Sequence, residues 1–355
     1  MADVRRLLVD LGCADVRELA ARAIPSPLAD ACLRHDHGFY TLYGRGGTEV
    51  GPQAPVCACM GGFDGVHRGH RELVRACHDE ARLRGVIALA ITFDPLPSLV
   101  LEGRAHGHCL LSTERRVRLL LDAGMDAVCV LAFDKTLAHT PYADFVDGLL
   151  PKVAHVESLH VGANFRFGFE GAGTPAALAR LGQARGFSVH IHDLLAQGAA
   201  PVSSTRTRAL LAQGSVEDAA RLLGRPHVVH GVVEHGRGEG TTLGFPTANV
   251  HVDARLCLPV EGVYAGFVIC GPTAWPAAIN VGASPTFSTP RASFLEANLI
   301  GFAGKLYGRE VDVAFVSWLR PSRPFDSTVK LERTVRSNID WVRTNLGDDG
   351  LEVRG

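Results

Sequence analysis

Hydrophobic and polar positions fall into two textures along the chain. From residue 55, apolar runs at 56–60, 86–93, 127–133, 158–161 and 187–191 alternate with stretches at 71–84, 112–122 and 142–150, whose apolar positions recur at helical spacing. Short apolar runs suit strands buried on both faces, and 3.6-residue periodicity suits helices packed along one stripe. Their alternation predicts a Rossmann-like α/β domain: a parallel sheet, helices on both faces, and a ligand beyond the carboxyl ends of the strands. After Gly224-Arg225-Pro226 the texture changes. Strand-like runs at 227–234, 263–269, 275–281, 293–300 and 311–318 are separated by Gly and Pro turns, and one helical pattern covers 328–345. This predicts a small antiparallel β-barrel followed by a C-terminal helix. Before residue 55, two short helical patterns, one over 16–23, lead into Gly44-Arg45-Gly46-Gly47, and nothing in them discloses a task. The expected division is an extension 1–54, an α/β domain 55–220, a barrel domain 221–345 and a tail 346–355.

Composition narrows the class of function. The chain has 355 residues, 46% apolar and 21% charged, with 36 Lys+Arg against 37 Asp+Glu. That balance excludes a disordered chain and removes the bulk positive field that a nucleic-acid-binding protein uses. No apolar run approaches the roughly 18 residues of a membrane span, and Asp3, Asp10, Asp15 and Glu18 interrupt anything like a secretory leader. A cytoplasmic protein is expected. The nine cysteines form no CxxC pair, so reduced core thiols are expected, with Cys57 and Cys59 on one face of a strand. No GxxxxGK[ST] occurs, so phosphate handling falls to Arg, His, hydroxyls and backbone amides.

Four runs carry candidate chemistry. Residues 61–70, GGFDGVHRGH, stand where the first strand ends and a helix begins. His67 and His70 share the first helical turn with backbone N–H groups that lack intrahelical partners, which makes an anion site suited to a triphosphate; the bland alternative is an exposed turn with incidental histidines. Residues 202–208, VSSTRTR, offer caps followed by guanidinium groups, or an ordinary capped helix. Asn164, in 161–168, follows a strand with Phe165 and Phe167, aromatics that line a planar ligand or belong to the core. In the second domain the loop 236–240, GRGEG, leads to 243–249, LGFPTAN, where Thr247 and Asn249 project to one side of an extended strand and suit Mg2+ with phosphate oxygens. Glu296 sits among apolar residues of a predicted strand, as a general base for a hydroxyl or as a solvent-facing residue.

In this order the runs resemble the prokaryotic bifunctional riboflavin kinase/FMN adenylyltransferase (FAD synthetase) family over roughly residues 55–345. GGFDGVHRGH is similar to that family's H-x-G-H signature, VSSTRTR to its second signature, and GFPTAN to the flavokinase hallmark. Supporting matches are 262–265, Asn280-Val281-Gly282 with Pro285-Thr286-Phe287, 306–308, and Leu319-Arg320 followed by Phe325. The resemblance implies a nucleotidyltransferase-like domain and a flavokinase barrel, with ATP, riboflavin and FMN as substrates and Mg2+ as cofactor. By position, His67, His70 and Arg208 would be catalytic in adenylyl transfer, with Phe63, Asp64, Asn164, Ser203, Ser204 and Thr205 forming the nucleotide site. In the kinase, Glu296 would be the base, Thr247 and Asn249 the Mg-ATP ligands, and Gly240 and Arg320 further binding residues. Departures are Leu96, where the family carries His, and Thr241 after Gly240, where it carries Arg. A diverged paralogue with one active module or an altered substrate would keep the same folds, as would a non-catalytic flavin-binding protein, although the latter has no need of His67, His70, Thr247, Asn249 and Glu296 together.

Overall fold

A computed structural model describes residues 4–25, 33–101, 108–235, 245–283, 293–323 and 325–353. The chain divides into two units, an α/β unit of residues 25–203 and a barrel unit combining residues 1–24 with 204–355. Helices α1 (Val4–Leu11) and α2 (Val16–Arg22), at the start of the chain, therefore belong with its C-terminal part.

In the α/β unit the strands are β1 (Leu33–Asp36), β2 (Tyr40–Gly44), β3 (Pro55–Met60), β4 (Ile87–Asp94), β5 (Ala127–Ala132), β6 (His155–Gly162) and β7 (Ser188–His192). They lie in the order β1-β2-β5-β4-β3-β6-β7. The five strands from β5 to β7 are parallel, as the alternating texture predicts, and β1 and β2 add an antiparallel edge beside β5. Helix α3 (Arg68–Arg84) packs on β3, β4 and β6, and α4 (Thr113–Asp122) packs on β5. Helix α5 (Pro175–Arg185) is capped by Thr174 and packs on β7. Cys57, Cys59 and Cys77 are fully buried between α3 and the sheet, so they pack as small hydrophobes. The predicted helix at 142–150 is broken: a π turn at Phe145–Leu149 separates short α-helical pieces and carries Phe145 and Val146 into the core. A two-residue ribbon, β8 (Ala196–Gln197) with β9 (Ala200–Pro201), follows β7.

The barrel unit opens with α6 (Ser204–Leu211) and α7 (Val216–Leu223). Six antiparallel strands follow: β10 (His227–Glu234), β11 (Ala248–Val252), β12 (Gly262–Cys270), β13 (Thr273–Ala283), β14 (Ser293–Leu299) and β15 (Glu310–Pro321). Their order β12-β15-β10-β11-β14-β13 closes through β12 and β13, and β16 (Leu351–Glu352) adds to β13. Closure needs Gly266, at a bulge between β12 and β15, because a Cβ there would lie 1.9 Å from the Ala314 carbonyl oxygen. Helix α8 (Thr328–Leu346), capped by Ser327, buries Ile339, Val342 and Leu346 in one cluster with Ala265, Phe267 and Val316. Leu7, Leu19 and Ala20 of α1 and α2 join that cluster, so the helical part of the leader covers apolar barrel surface.

Candidate active sites

The run 61–70 forms a tight loop between β3 and α3. Phe63 and Val66 both have positive φ, 48° and 39°, flanking Gly65 at 83°. A β-branched residue there is strained, and such strain persists only where the surroundings hold it. Here the fixing group is Arg116 of α4, only 1% exposed, whose guanidinium donates to the carbonyls of Gly62 at 3.1 Å and Phe93 at 2.6 Å. Thr92 Oγ1 donates to the same Gly62 carbonyl at 3.2 Å. Asp64 is buried and accepts from the Leu110 N–H at 2.9 Å, so it anchors the loop on the segment before α4.

His67 is the N-cap of α3: its Nδ1 accepts from the His70 N–H at 3.2 Å. Periodicity placed the helix start at 71; the cap moves it to Arg68. The two imidazoles stack with centroids 3.6 Å apart and planes 13° from parallel, and Phe63 meets His70 edge-on at 5.3 Å. Burial, with His67 and Arg116 acting in the same direction, holds His70 well below the usual histidine range. It is therefore neutral at pH 7, and its Nδ1 is buried without a hydrogen-bond partner. A neutral imidazole beside a helix N-terminus presents donors to an anion without a fixed cation.

Asn164 is exposed just past the end of β6, at the same carboxyl edge of the sheet as the loop after β3. Phe167 is a core residue and Phe165 packs partly against it, so the core reading holds for that pair. Ser203 ends the α/β unit, whereas Ser204, Thr205 and Arg208 lie on α6 of the barrel unit. Leu96 is buried, and its Cδ2 lies 3.5 Å from where a Cβ on Gly62 would stand, so an apolar side chain fills this side of the loop.

On the barrel, Asn249 of β11 pairs with Glu296 of β14, Glu296 with Asn280 of β13, Asn280 with Val263 of β12, and Val263 with Arg320 of β15. Register partners in antiparallel strands share a face, so these side chains form one row on the outside of the barrel, opposite the interior Val250, Leu295 and Ile279. Glu296 is half-buried, with Asn249 and Asn280 as its register neighbours. Thr247 is half-buried just before β11, two residues from Asn249. Arg320 stands three strands from Glu296, roughly 14 Å along the row. Its guanidinium lies 5.5 Å from the Phe325 ring centroid and donates to the Pro321 carbonyl at 3.2 Å; burial, then Arg323, lowers its pKa. Gly240 and Thr241, like the rest of 236–244 and residues 284–292 with Pro285-Thr286-Phe287, lie outside the described residues.

Sequence reasoning passed over two residues of these sites as functional candidates. Arg116 occupies an apolar stripe with Leu119 and Leu120 at helical spacing, an arginine where a core residue belongs. Asn280 was visible only within a matching run. A third group also went unnoticed: Glu80 of α3 with His160, His190 and His192 of β6 and β7. His160 is pushed down to about 4, by burial first and then by His190, while Glu80 is held low chiefly by the His190 and His160 charges acting against its burial.

Comparison with known proteins agrees with the two-part organisation of the chain. A family model described as FAD synthetase matches residues 51–206, and one described as riboflavin kinase matches residues 223–346. The bifunctional riboflavin kinase/FMN adenylyltransferase of Escherichia coli K12 is 35% identical over 306 residues, 85% of this chain and 94% of that protein. The Pseudomonas fluorescens protein of the same name is 34% identical over 300 residues, 84% and 96% of the two chains. Among solved structures, one described as a macrolide-efflux protein from Streptococcus pneumoniae aligns with a TM-score of 0.76 and 27% identity, covering 83% of this chain and 96% of that one. Efflux is said of that protein alone; among the described residues here, no helix is long and apolar enough to cross a membrane. Two family matches in the expected order, a sheet and a barrel that each carry the matching motif, and identity along nearly the whole length of the relatives make this chain a member of the bifunctional riboflavin kinase/FMN adenylyltransferase family, a transferase of FAD synthesis.

Proposed function

We propose that residues 55–220 carry adenylyl transfer and residues 221–345 carry riboflavin phosphorylation. The observation that supports this division is that the stacked His67 and His70 pair stands at the sheet of the α/β unit, while Asn249, Glu296 and Asn280 form a row on the barrel. In the first, the ATP phosphates lie at the first turn of α3. His67 and neutral His70 donate to phosphate oxygens, and the helix N-terminus supplies the positive end of the field as pyrophosphate leaves. Phe63 and Asp64 shape the loop, Asn164 and Ser203 bind nucleotide on the same unit, and the resemblance assigns nucleotide contacts to Ser204, Thr205 and Arg208 of α6. The FMN phosphate attacks the α-phosphorus in line, a reaction that asks for positioning and charge stabilisation rather than a protein nucleophile.

In the second, Glu296 accepts the proton of the flavin ribityl 5′-hydroxyl as that oxygen attacks the γ-phosphorus. Glu296 is half-buried with Asn249 and Asn280 as its register neighbours, a setting that suits a base kept from bulk water. Thr247 and Asn249 would hold Mg2+ with ATP: a hydroxyl and an amide oxygen are the hard donors that ion prefers, and bound Mg2+ neutralises phosphate charge. Arg320 and Gly240 bind remote parts of the ligands. Both reactions take place in the cytoplasm.

The test is incubation of the full chain with riboflavin, ATP and Mg2+ and chromatographic separation of the flavins. FMN and then FAD are expected. FMN alone would leave a kinase with a silent partner unit, and no product from riboflavin or from added FMN would overturn the assignment.

A further inference from the structure

β6 and β7 run in parallel with His160 opposite His190, and His192 follows two residues on, facing the same way. Helix α3 crosses above them and brings Glu80 down onto the pair. One oxygen of Glu80, Oε2, lies 2.8 Å from His160 Nε2 and 3.1 Å from His190 Nε2. The ligand atoms of the three residues all lie within 4.8 Å of one another. No other such group of His, Cys, Asp and Glu occurs among the described residues. His160 is 3% exposed, and its ring is stacked against both His190 and His192. A buried imidazole beside a half-buried carboxylate between a helix and a sheet, where apolar side chains ordinarily pack, asks for a use.

We propose that Glu80, His160 and His190 form a binding site for a zinc ion that ties α3 to β6 and β7. Tetrahedral zinc with bonds of 2.0–2.1 Å to nitrogen and oxygen sets neighbouring ligand atoms about 3.3 Å apart; the two carboxylate–imidazole separations, 2.8 and 3.1 Å, lie close to that value, and the third pair is within 4.8 Å. The surroundings match those of metal ligands. His160 Nδ1 is 2.9 Å from His192 Nε2, so the ring nitrogen facing away from the site has a partner that orients the ligand. The second oxygen of Glu80 is held by Arg84 at 2.7 Å, leaving Oε2 for the ion, and Arg84 is itself 3.5 Å from Glu157. His190 is 44% exposed, so water has access to a remaining coordination position. Two imidazoles and one carboxylate suit zinc and its late transition-metal neighbours and disfavour Mg2+, which takes oxygen ligands. Glu80 lies ten residues along α3 from His70, roughly 15 Å, so this site is separate from the proposed phosphate site.

The test uses the full chain, stripped with chelator and titrated with Zn2+ by calorimetry in excess Mg2+ without nucleotide. One tight equivalent is expected, with a rise in melting temperature of roughly 5–10 °C at a hundredfold excess over Kd. Co2+ in place of Zn2+ should give the visible bands of a tetrahedral site without the near-ultraviolet charge-transfer band of thiolate ligation, which separates this site from the cysteines. His190→Ala, at an exposed position, and Glu80→Gln should each weaken binding by roughly a hundredfold or more, and His192→Ala by roughly tenfold. Far-ultraviolet circular dichroism checks that each variant is folded. Absence of a tight equivalent, thiolate bands with Co2+, or wild-type affinity in a folded His190→Ala or Glu80→Gln protein would overturn the site.

Discussion

Arg116→Met tests the account of the phosphate loop most directly. The substitution keeps an unbranched chain of similar length and removes donors to Gly62 and Phe93, at 3.1 and 2.6 Å. Hydrogen bonds from a charged group contribute about 1.5–3 kcal/mol each. Methionine also avoids the cost of burying a guanidinium, so the net loss is about 2–4 kcal/mol. Strain of about 1–3 kcal/mol for each residue at positive φ, here Phe63 and Val66, opposes the native loop. The two quantities are comparable, so the loop should leave its observed conformation while the sheet stays folded. About 3 kcal/mol corresponds to a population shift on the order of a hundredfold, and kcat/KM for FMN adenylylation should fall by the same order. Riboflavin phosphorylation, which uses residues of the barrel, should stay within about twofold of wild type. Arg116→Lys retains the charge but not the planar fork and should fall between the two. The assay is flavin chromatography from riboflavin and, separately, from FMN. Adenylylation by Arg116→Met within about threefold of wild type would refute the role given to the guanidinium.

Four further outcomes follow from the same geometry. His70→Ala should cut FAD formation by at least about a hundredfold and spare FMN formation; equal loss of both would sink the two-site account. Glu296→Gln should lower kinase turnover by about 10²–10⁴ with the riboflavin KM largely intact, and unchanged turnover would remove it from the base role. Leu96→His, which returns an imidazole to the pocket beside Gly62, should raise the adenylylation rate; no change would mean that the apolar contact already serves. The fifth concerns pH. His70 in the folded protein binds a proton well below the unfolded value of 6.5, so the unfolded chain takes up the proton first and stability falls as pH drops below about 6.5. With titratable His67 and charged Arg116 as its neighbours, His70→Gln should flatten the urea midpoint between pH 6.5 and 5, and an unchanged slope would count against burial of a neutral ring.

How far these sites were legible follows from how local each signal was. The GGFDGVHRGH and GFPTAN runs are contiguous, so the candidate residues within each stand beside one another in the chain. The row Asn249–Glu296–Asn280 is not contiguous: it exists because three antiparallel strands fall into one register, and a slip of one residue would turn Glu296 to the other face. Arg116 lies 54 residues from the Gly62 carbonyl it holds, and Glu80 lies 80 residues from His160. Nothing in the local pattern of α3 or β6 marks those partners.

Periodicity and turn chemistry by themselves determined the parallel sheet, the antiparallel barrel, the helix after it and the phosphate loop, because burial on a sheet face or a helix stripe is a short-range property of the chain. The strands at 33–44 escaped that reading: β1 is largely polar and β2 alternates over only five residues, and their place comes from the pairing of β2 with β5, which lies far along the chain, and of β1 with β2. The helices at 4–22 show their stripe locally, but that they cover the barrel's apolar surface is decided by cluster packing with residues beyond 200. Tertiary structure alone placed Arg116 beneath the loop and brought three histidines and a glutamate to one point. Such meetings depend on the order and register of strands, and hydrophobic pattern specifies which face of an element is buried without naming what it will be buried against.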